Sequence, residues 1–293
     1  MIDLHCHTDC SDGSAAPLDL LHQAIHLRLQ ALAITDHDTL DGYDLAKDHA
    51  REIGFELLCG VELSTHSHHC TRSAHLLGYF FSEPGESFRA WLRELQNGRQ
   101  ERNATLLQRL HELGMDISWA ELRAIGKKQI GRPHFARLMV EKGYVASLRE
   151  VFARYLCEGG LAWVDREEPA LEEAVERVVS AGGIASLAHP GRITREREPL
   201  RRLVAALIPH GLQAMECFHP EHSVDDTQLC LEIADEFGLT VTGGSDFHGS
   251  YKPEIELGTG RDGALHIPVS VLDNLRKRLA KTGTTAAAVA VSP

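Results

Sequence analysis

Residues 1–38 read MIDLHCHTDCSDGSAAPLDLLHQAIHLRLQALAITDHD, and the fold is decided there. A short β-type run, MIDLH, gives way to a helical pattern over 16–29. A second β-type run, ALAITDHD, follows. Both strand-like runs end in side chains that bind metals: His5 and His7 after the first, Asp36, His37 and Asp38 after the second. Strand, helix and strand in this order signal parallel pairing through a crossover.

The rhythm continues outward. A helix is predicted over 42–53, then the strands FELLCGVELS (55–64) and AHLLGYFF (74–81). From 85 to 161 the chain is charged, leucine-spaced and mostly helical, with Gly114, Gly126, Gly131 and Gly143 as breaks. The alternation then returns: helices over 171–180, 200–210 and 226–237 separate GIASLAHPG, QAMECFHP and LTVTGGSDFHG. The pattern predicts an α/β barrel-like fold divided as 1–84 and 166–265, interrupted by a helical cap at 85–165. A helix over 269–281 and a loose tail, TTAAAVAVSP, close the chain in the 266–293 segment.

Composition narrows the function. The 293 residues carry a formal charge of −12, which disfavours a protein coating long duplex nucleic acid. No run reaches the roughly 20 apolar residues of a membrane span, and the N-terminus has no signal-like core; a cytoplasmic protein is expected. Seven scattered cysteines without a CxxC spacing disfavour a disulfide framework and a thiolate zinc site.

The 18 histidines matter through their positions. Strand ends of a parallel barrel converge on one mouth, so His5, His7, Glu62 and His189, with His75, Asp246 and His248, are expected to meet. Residues i and i+2 of a strand point the same way, which lets His5 and His7 face one ion while Cys6 turns aside. Imidazole and carboxylate without thiolate suit zinc, manganese or iron and hydrolysis. A lone histidine is more often a satisfied polar residue, and His22, His26, His49, His111 and His210 are read that way. The loop with His66, His68, His69 and Cys70 is read as exposed.

DLHCHTDCSDG, ITDHDTLDG, GVELS, AHLLGY, LAHPG and GGSDFHG together resemble the successive motifs of the PHP (polymerase and histidinol phosphatase) family. The resemblance implies a distorted (β/α)7 barrel and up to three divalent ions, manganese first, with zinc or iron as alternatives. It implies that His5, His7, Glu62 and Asp246 hold one ion, that Glu62 bridges to a second on His75 and His189, and that Asp12, His37 and His248 hold a third. Such a cluster with its hydroxide keeps roughly two positive charges and suits a phosphate. The expected reaction is attack of metal-bound hydroxide on a phosphate monoester, with Asp246, His189 and His37 as catalytic residues.

NATLLQRL and IGRPHFARLMVEKGYV resemble the subgroup acting on nucleoside 3′,5′-bisphosphates or on the 5′ end of short RNA. Between 93 and 140 nine Lys/Arg face five acidic residues. Arg99, Arg102 and Asn103 share a helix face, and Gly131 and Pro133 restrict the backbone around Arg132 and His134. These five residues are expected to bind a second phosphate of a small nucleotide or short oligonucleotide. A 5′-3′ exonuclease, a histidinol-phosphate phosphatase and a non-catalytic metal-binding module are the alternatives.

Overall fold

The computed structural model of the protein describes residues 1–69 and 74–289. Seven strands form one curled sheet in chain order: β1 (Asp3–Cys6), β2 (Ala31–Ile34), β3 (Glu56–Thr65), β4 (Ala74–Phe80), β5 (Ile184–Leu187), β6 (Ala214–Phe218) and β7 (Thr240–Gly243). Helices α1 (Pro17–His26) and α2 (Asp41–Glu52) make the first two crossovers. Then come α3 (Glu86–Glu112), α4 (Trp119–Ile125), α5 (Arg132–Glu141), α6 (Leu148–Val151), α7 (Leu171–Ser180), α8 (Pro190–Ile193), α9 (Arg197–Leu207), α10 (Val224–Glu236) and α11 (Ser270–Val289). The distorted barrel expected from the motifs is what forms.

One strand departs from parallel order. β4 runs antiparallel to both β3 and β5, because the link between Thr65 and Ala74 is too short for the dozen or more residues that a parallel crossover needs. His75, near the start of β4, is thereby set opposite Ser64 near the end of β3. A parallel β4 would have put it at the other end of the barrel.

Side-chain alternation builds the core. In β2, Ala31 and Ala33 join one apolar cluster while Leu32 and Ile34 pack under α1 and α2 in another. The first cluster includes Val271, Leu272 and Leu275 of α11, and Arg276 pairs with Glu56 at the start of β3. α11 thus covers the end of the barrel away from the strand carboxyl ends. It extends to Val289, past the expected stop, as its alanine-rich sequence favours. Ala290–Pro293 of the expected tail lie outside the described residues.

α3 belongs to two cores. Phe88, Trp91 and Leu92 pack into the barrel cluster, whereas Leu106, Leu107 and Leu110 pack with Phe135, Met139, Val151 and Ala162 in the helical segment. Among the described residues no helix is long and apolar enough to cross a membrane.

The sheet curls so that its two ends meet. Cys6 bridges Phe247, the Asp246 amide donates to the His5 carbonyl at 2.8 Å, and the His7 amide donates to the Phe247 carbonyl at 2.9 Å. Gly244 makes the approach possible, since a Cβ there would stand 2.3 Å from the His5 nitrogen. Gly244→Ala is expected to push the two motifs apart, lowering stability by about 1–3 kcal/mol. Denaturant unfolding measures the stability loss, and a parallel loss of divalent-metal uptake checks the separation of the motifs.

Candidate metal centre

Glu62, at the middle of β3, is the hub. Its Oε1 lies 2.7 Å from His75 Nδ1 and 2.7 Å from His189 Nε2. Its Oε2 lies 3.1 Å from the Nε2 atoms of His5 and His7 and 3.4 Å from His37 Nδ1. Asp246 Oδ1 adds a second carboxylate 3.6 Å from His5, 3.3 Å from His7 and 3.5 Å from His248. Asp12 completes the ring at 3.5 Å from His7, 3.7 Å from His37 and 3.4 Å from His248. All nine expected ligands therefore meet at one mouth.

Two donors on one ion with bonds of 2.0–2.2 Å stand about 3 Å apart at right angles, close to these separations. Among the described residues, three sets offer ligand atoms within 4.8 Å of one another: His5, His7, Glu62 and Asp246; His7, Asp12 and His37; His37, Glu62 and His75. Among the described residues, His7 Nε2 and His37 Nδ1 are buried without a hydrogen-bond partner, a condition that binding of a cation relieves. The donor set fits divalent metal.

Surrounding groups present the ligands. His5 Nδ1 donates to Glu216 Oε1 at 2.8 Å, leaving Nε2 to face the centre. The other Glu216 oxygen accepts from the His189 amide at 2.7 Å. His248 Nδ1 lies 2.8 Å from the Asp246 carbonyl, which leaves Nε2 to face Asp12. Glu216 was not among the expected residues, although β6 carries a readable signal: Met215 and Cys217 face the outer core, so Glu216 sits on the face of Ala214. Three site residues, Asp38, His189 and Asp246, occupy left-handed backbone with φ of 54°, 26° and 53°, strain that the packing around them must sustain.

Asp36 and Asp38 face away from the cluster. Asp36 accepts from the Thr8 amide and from the hydroxyls of Thr8 and Ser11, pinning the loop that carries His7 and Asp12. Asp38 pairs with Arg99 and, at 3.3 Å, with Arg166. Of the five expected cap residues Arg99 contacts that carboxylate, and Arg102 and Arg132 lie within electrostatic reach of Arg99 and Arg166. Arg99 also donates to Ser64 Oγ at 3.0 Å, Asn103 donates to the Ile130 carbonyl at 2.7 Å, and Arg132 lies over Trp163 at 5.1 Å. His134 Nδ1 accepts from the Gly131 amide at 2.9 Å. Arg166, which no motif marked, is a fourth arginine of this group and also pairs with Glu168 at 3.1 Å.

Arg192 and Lys252 were missed as well. Each places a nitrogen 2.8 Å from Asp246 Oδ2. Of the histidines set aside, His22 and His49 face each other with Nε2 atoms 3.0 Å apart. His66 Nδ1 lies 2.6 Å from the Glu168 carbonyl. Cys70 lies outside the described residues; Cys6, Cys10, Cys59, Cys157, Cys217 and Cys230 are free thiols.

The PHP domain model matches residues 3–156. A 5′-3′ exoribonuclease of Haemophilus influenzae is 34% identical over 84% of this chain and 89% of its own length. The chain belongs to the PHP domain family. A 3′,5′-nucleoside bisphosphate phosphatase of Chromobacterium violaceum is also 34% identical, over 84% of this chain and 87% of its own. A metal-dependent phosphoesterase structure from Bifidobacterium adolescentis superposes with a TM-score of 0.82 at 30% identity, covering 94% of this chain and 96% of that one. A Chromobacterium violaceum amidohydrolase, solved with bound sulfate and no metal, gives 0.81 at 32%, with the same coverage.

Charge sets the protonation of the PHP centre. Burial raises the carboxyls of Glu62, Asp12 and Asp246, yet neighbouring histidines, and for Asp246 Lys252 and Arg192 ahead of them, hold all three well below the usual range. Burial pushes His7 down, but the Asp246 and Glu62 carboxylates beside its Nε2 outweigh it and lift it to about 9. Glu216 and Glu62 likewise overcome burial and raise His5. For His37 burial wins, taking it to about 3; His189 reaches about 3 through burial and Arg192. Both shifts favour protonated His5 and His7 at pH 7 without metal, and ligation through these nitrogens would expel the protons. Calorimetric titration with a divalent metal in buffers of different ionisation enthalpy is expected to show proton release at pH 7. The release should shrink once the pH passes about 9; no release at pH 7 would contradict the protonated pair.

Proposed function

We propose that this metal-dependent phosphoesterase removes the 3′-phosphate of nucleoside 3′,5′-bisphosphates. The observation that carries the reading is the second cationic site beside the first. Arg99, Arg102, Arg132 and Arg166 stand together with Asp38 and Glu168 as acidic partners. Among the described residues, the Nε atoms of Arg99, Arg102 and Arg166 are buried without a hydrogen-bond partner. Burial, followed by the repulsion of Arg99, Arg132 and Arg166, pulls Arg102 down to about 9. Several guanidinium groups under-neutralised in a buried place call for an anion, and bidentate recognition of phosphate is what arginine does well.

The two sites are adjacent in the chain. His37 belongs to the metal cluster and Asp38 to the arginine group, with Cα atoms about 3.8 Å apart. A small substrate bearing two phosphates spans both. A single-phosphate substrate with a cationic end, such as histidinol phosphate, would meet repulsion at the arginines.

In this reading His5, His7, Glu62 and Asp246 hold one ion, Glu62 with His75 and His189 a second, and Asp12, His37 and His248 a third, with manganese the expected metal. Bound ions supply Lewis acidity toward the phosphoryl oxygens and make water more acidic. The protein's own groups orient the reaction. Asp246 Oδ1, ionised and turned toward the histidines, accepts a hydrogen bond from the attacking water. His189, set on strained backbone, closes the far side of Glu62. Arg99, Arg102, Asn103, Arg132, His134 and Arg166 hold the second phosphate.

Exonucleolytic trimming of short RNA is the competing reading, favoured by the Haemophilus relative at equal identity. The test is a panel of 3′,5′-bisphosphates, 3′-monophosphates and short oligoribonucleotides, with orthophosphate and mononucleotide release measured separately. Faster mononucleotide release from oligomers than phosphate release from the bisphosphate would decide for the exonuclease.

Two outcomes are expected of variants. Arg132→Ala and Arg166→Ala should each raise KM for the bisphosphate roughly 10- to 100-fold, the weight of a charge-assisted hydrogen bond, with little change for a 3′-monophosphate. His37→Ala and Asp246→Ala should abolish turnover in metal-replete assays while unfolding cooperatively. Near-normal rates in either would contradict the assignment.

A further inference from the structure

Outside the nine ligands, one buried histidine faces the same mouth with a hydrogen-bonding atom unused. His219 follows β6 in the sequence Phe218–His219–Pro220 and is 4% exposed. Its Nδ1 accepts from the Glu221 amide at 3.1 Å. An amide N–H aimed at Nδ1 requires the lone pair there, so the ring hydrogen sits on Nε2. Among the described residues that Nε2 has no hydrogen-bond partner. It stands 3.5 Å from Asp246 Oδ2, and its ring centre is 5.5 Å from that of His189 and 6.3 Å from that of His5.

The ring cannot easily turn away. His222 Nδ1 is paired with the Cys217 carbonyl at 2.9 Å, and His222 Nε2 accepts from the Gly191 amide at 3.1 Å. Arg192 grips Glu221 through Nε at 2.8 Å and Nη2 at 2.6 Å. A Cβ on Gly191 would lie 2.6 Å from the His222 ring. The loop bearing His219 is therefore fastened at two points to the turn bearing His189. Asp246 Oδ2 already accepts from Arg192 and Lys252, and His219 is left without a full bond to it.

We propose that His219 Nε2–H donates a hydrogen bond to a non-bridging oxygen of the reacting phosphoryl group. It acts as a fixed donor beside the metals and rests on the phosphoesterase reading. It is not a tenth metal ligand, because ligation needs a lone pair on Nε2 and would leave two hydrogens confronting each other at the Glu221 amide. A preorganised donor aimed at an oxygen that gains charge in the transition state stabilises that state more than the ground state.

The test compares the metal-loaded wild type with His219→Leu, which fills the space without a donor, and His219→Gln, which keeps an N–H. Metal per chain is measured by mass spectrometry, orthophosphate affinity by calorimetry, and kcat and KM with 4-nitrophenyl phosphate. His219→Leu is expected to keep the wild-type metal content, lose roughly 10²- to 10³-fold in kcat as removal of a single preorganised donor does, and bind orthophosphate about 10-fold more weakly. His219→Gln should recover much of both losses. Where His219→Leu does not fold, His219→Met takes its place. A fall in metal content would make His219 a ligand and overturn the proposal. Unchanged kcat and orthophosphate affinity in the Leu variant would overturn it too. A wild type that binds orthophosphate only when metal-loaded yet hydrolyses no ester would remove the phosphoesterase reading, while the Leu and Gln affinities would still decide the donor.

Discussion

The structure depends on one carboxylate. Five imidazoles, from His5, His7, His37, His75 and His189, converge on the two oxygens of Glu62, a buried anion whose cost is tolerable only when charge is matched around it. Meeting that demand fixes much of the barrel. β3 must run beside β2 to bring His37 level with Glu62, β4 must turn antiparallel to bring His75 back, and β5 must end where His189 can reach. The strained backbone at His189 and Asp246 is the local consequence of aiming side chains at a centre the strands alone do not reach.

Asp38 plays the complementary part. The Gln96 side chain donates to its carbonyl and the Gln129 side chain to that of His37, each at 2.9 Å, while Arg99 and Arg166 pair with its carboxylate. The helical segment thus holds the peptide that joins His37 of the cluster to Asp38 of the arginine group.

Much of this was legible in the chain. Paired histidines and carboxylates at the ends of apolar runs identify strand termini and metal chemistry at once, because strand geometry converts i, i+2 spacing into convergence. The barrel and its family followed from six such motifs. Glu216, Arg166, Arg192 and Lys252 were not found, since each acts through a neighbour set by tertiary packing. Glu216 reaches His5 across 211 positions, a pairing no local spacing encodes. Asp36 and Asp38 show the reverse failure: sitting on either side of a ligand, they look like ligands, and only the direction of each side chain separates pinning a loop from binding an ion. The direction of β4 was hidden because hydrophobic periodicity is the same for parallel and antiparallel strands.

The shared helix α3 has a mechanical consequence. Its 27 residues extend about 40 Å, and one rod is clamped at its start by the barrel and at its end by the helical segment. A lid on a flexible hinge adjusts to whatever enters. Here the separation between the arginine group and the histidine–carboxylate cluster is set by the stiffness of a continuous helix, so on the proposed reading discrimination among substrates by length would be built into the frame.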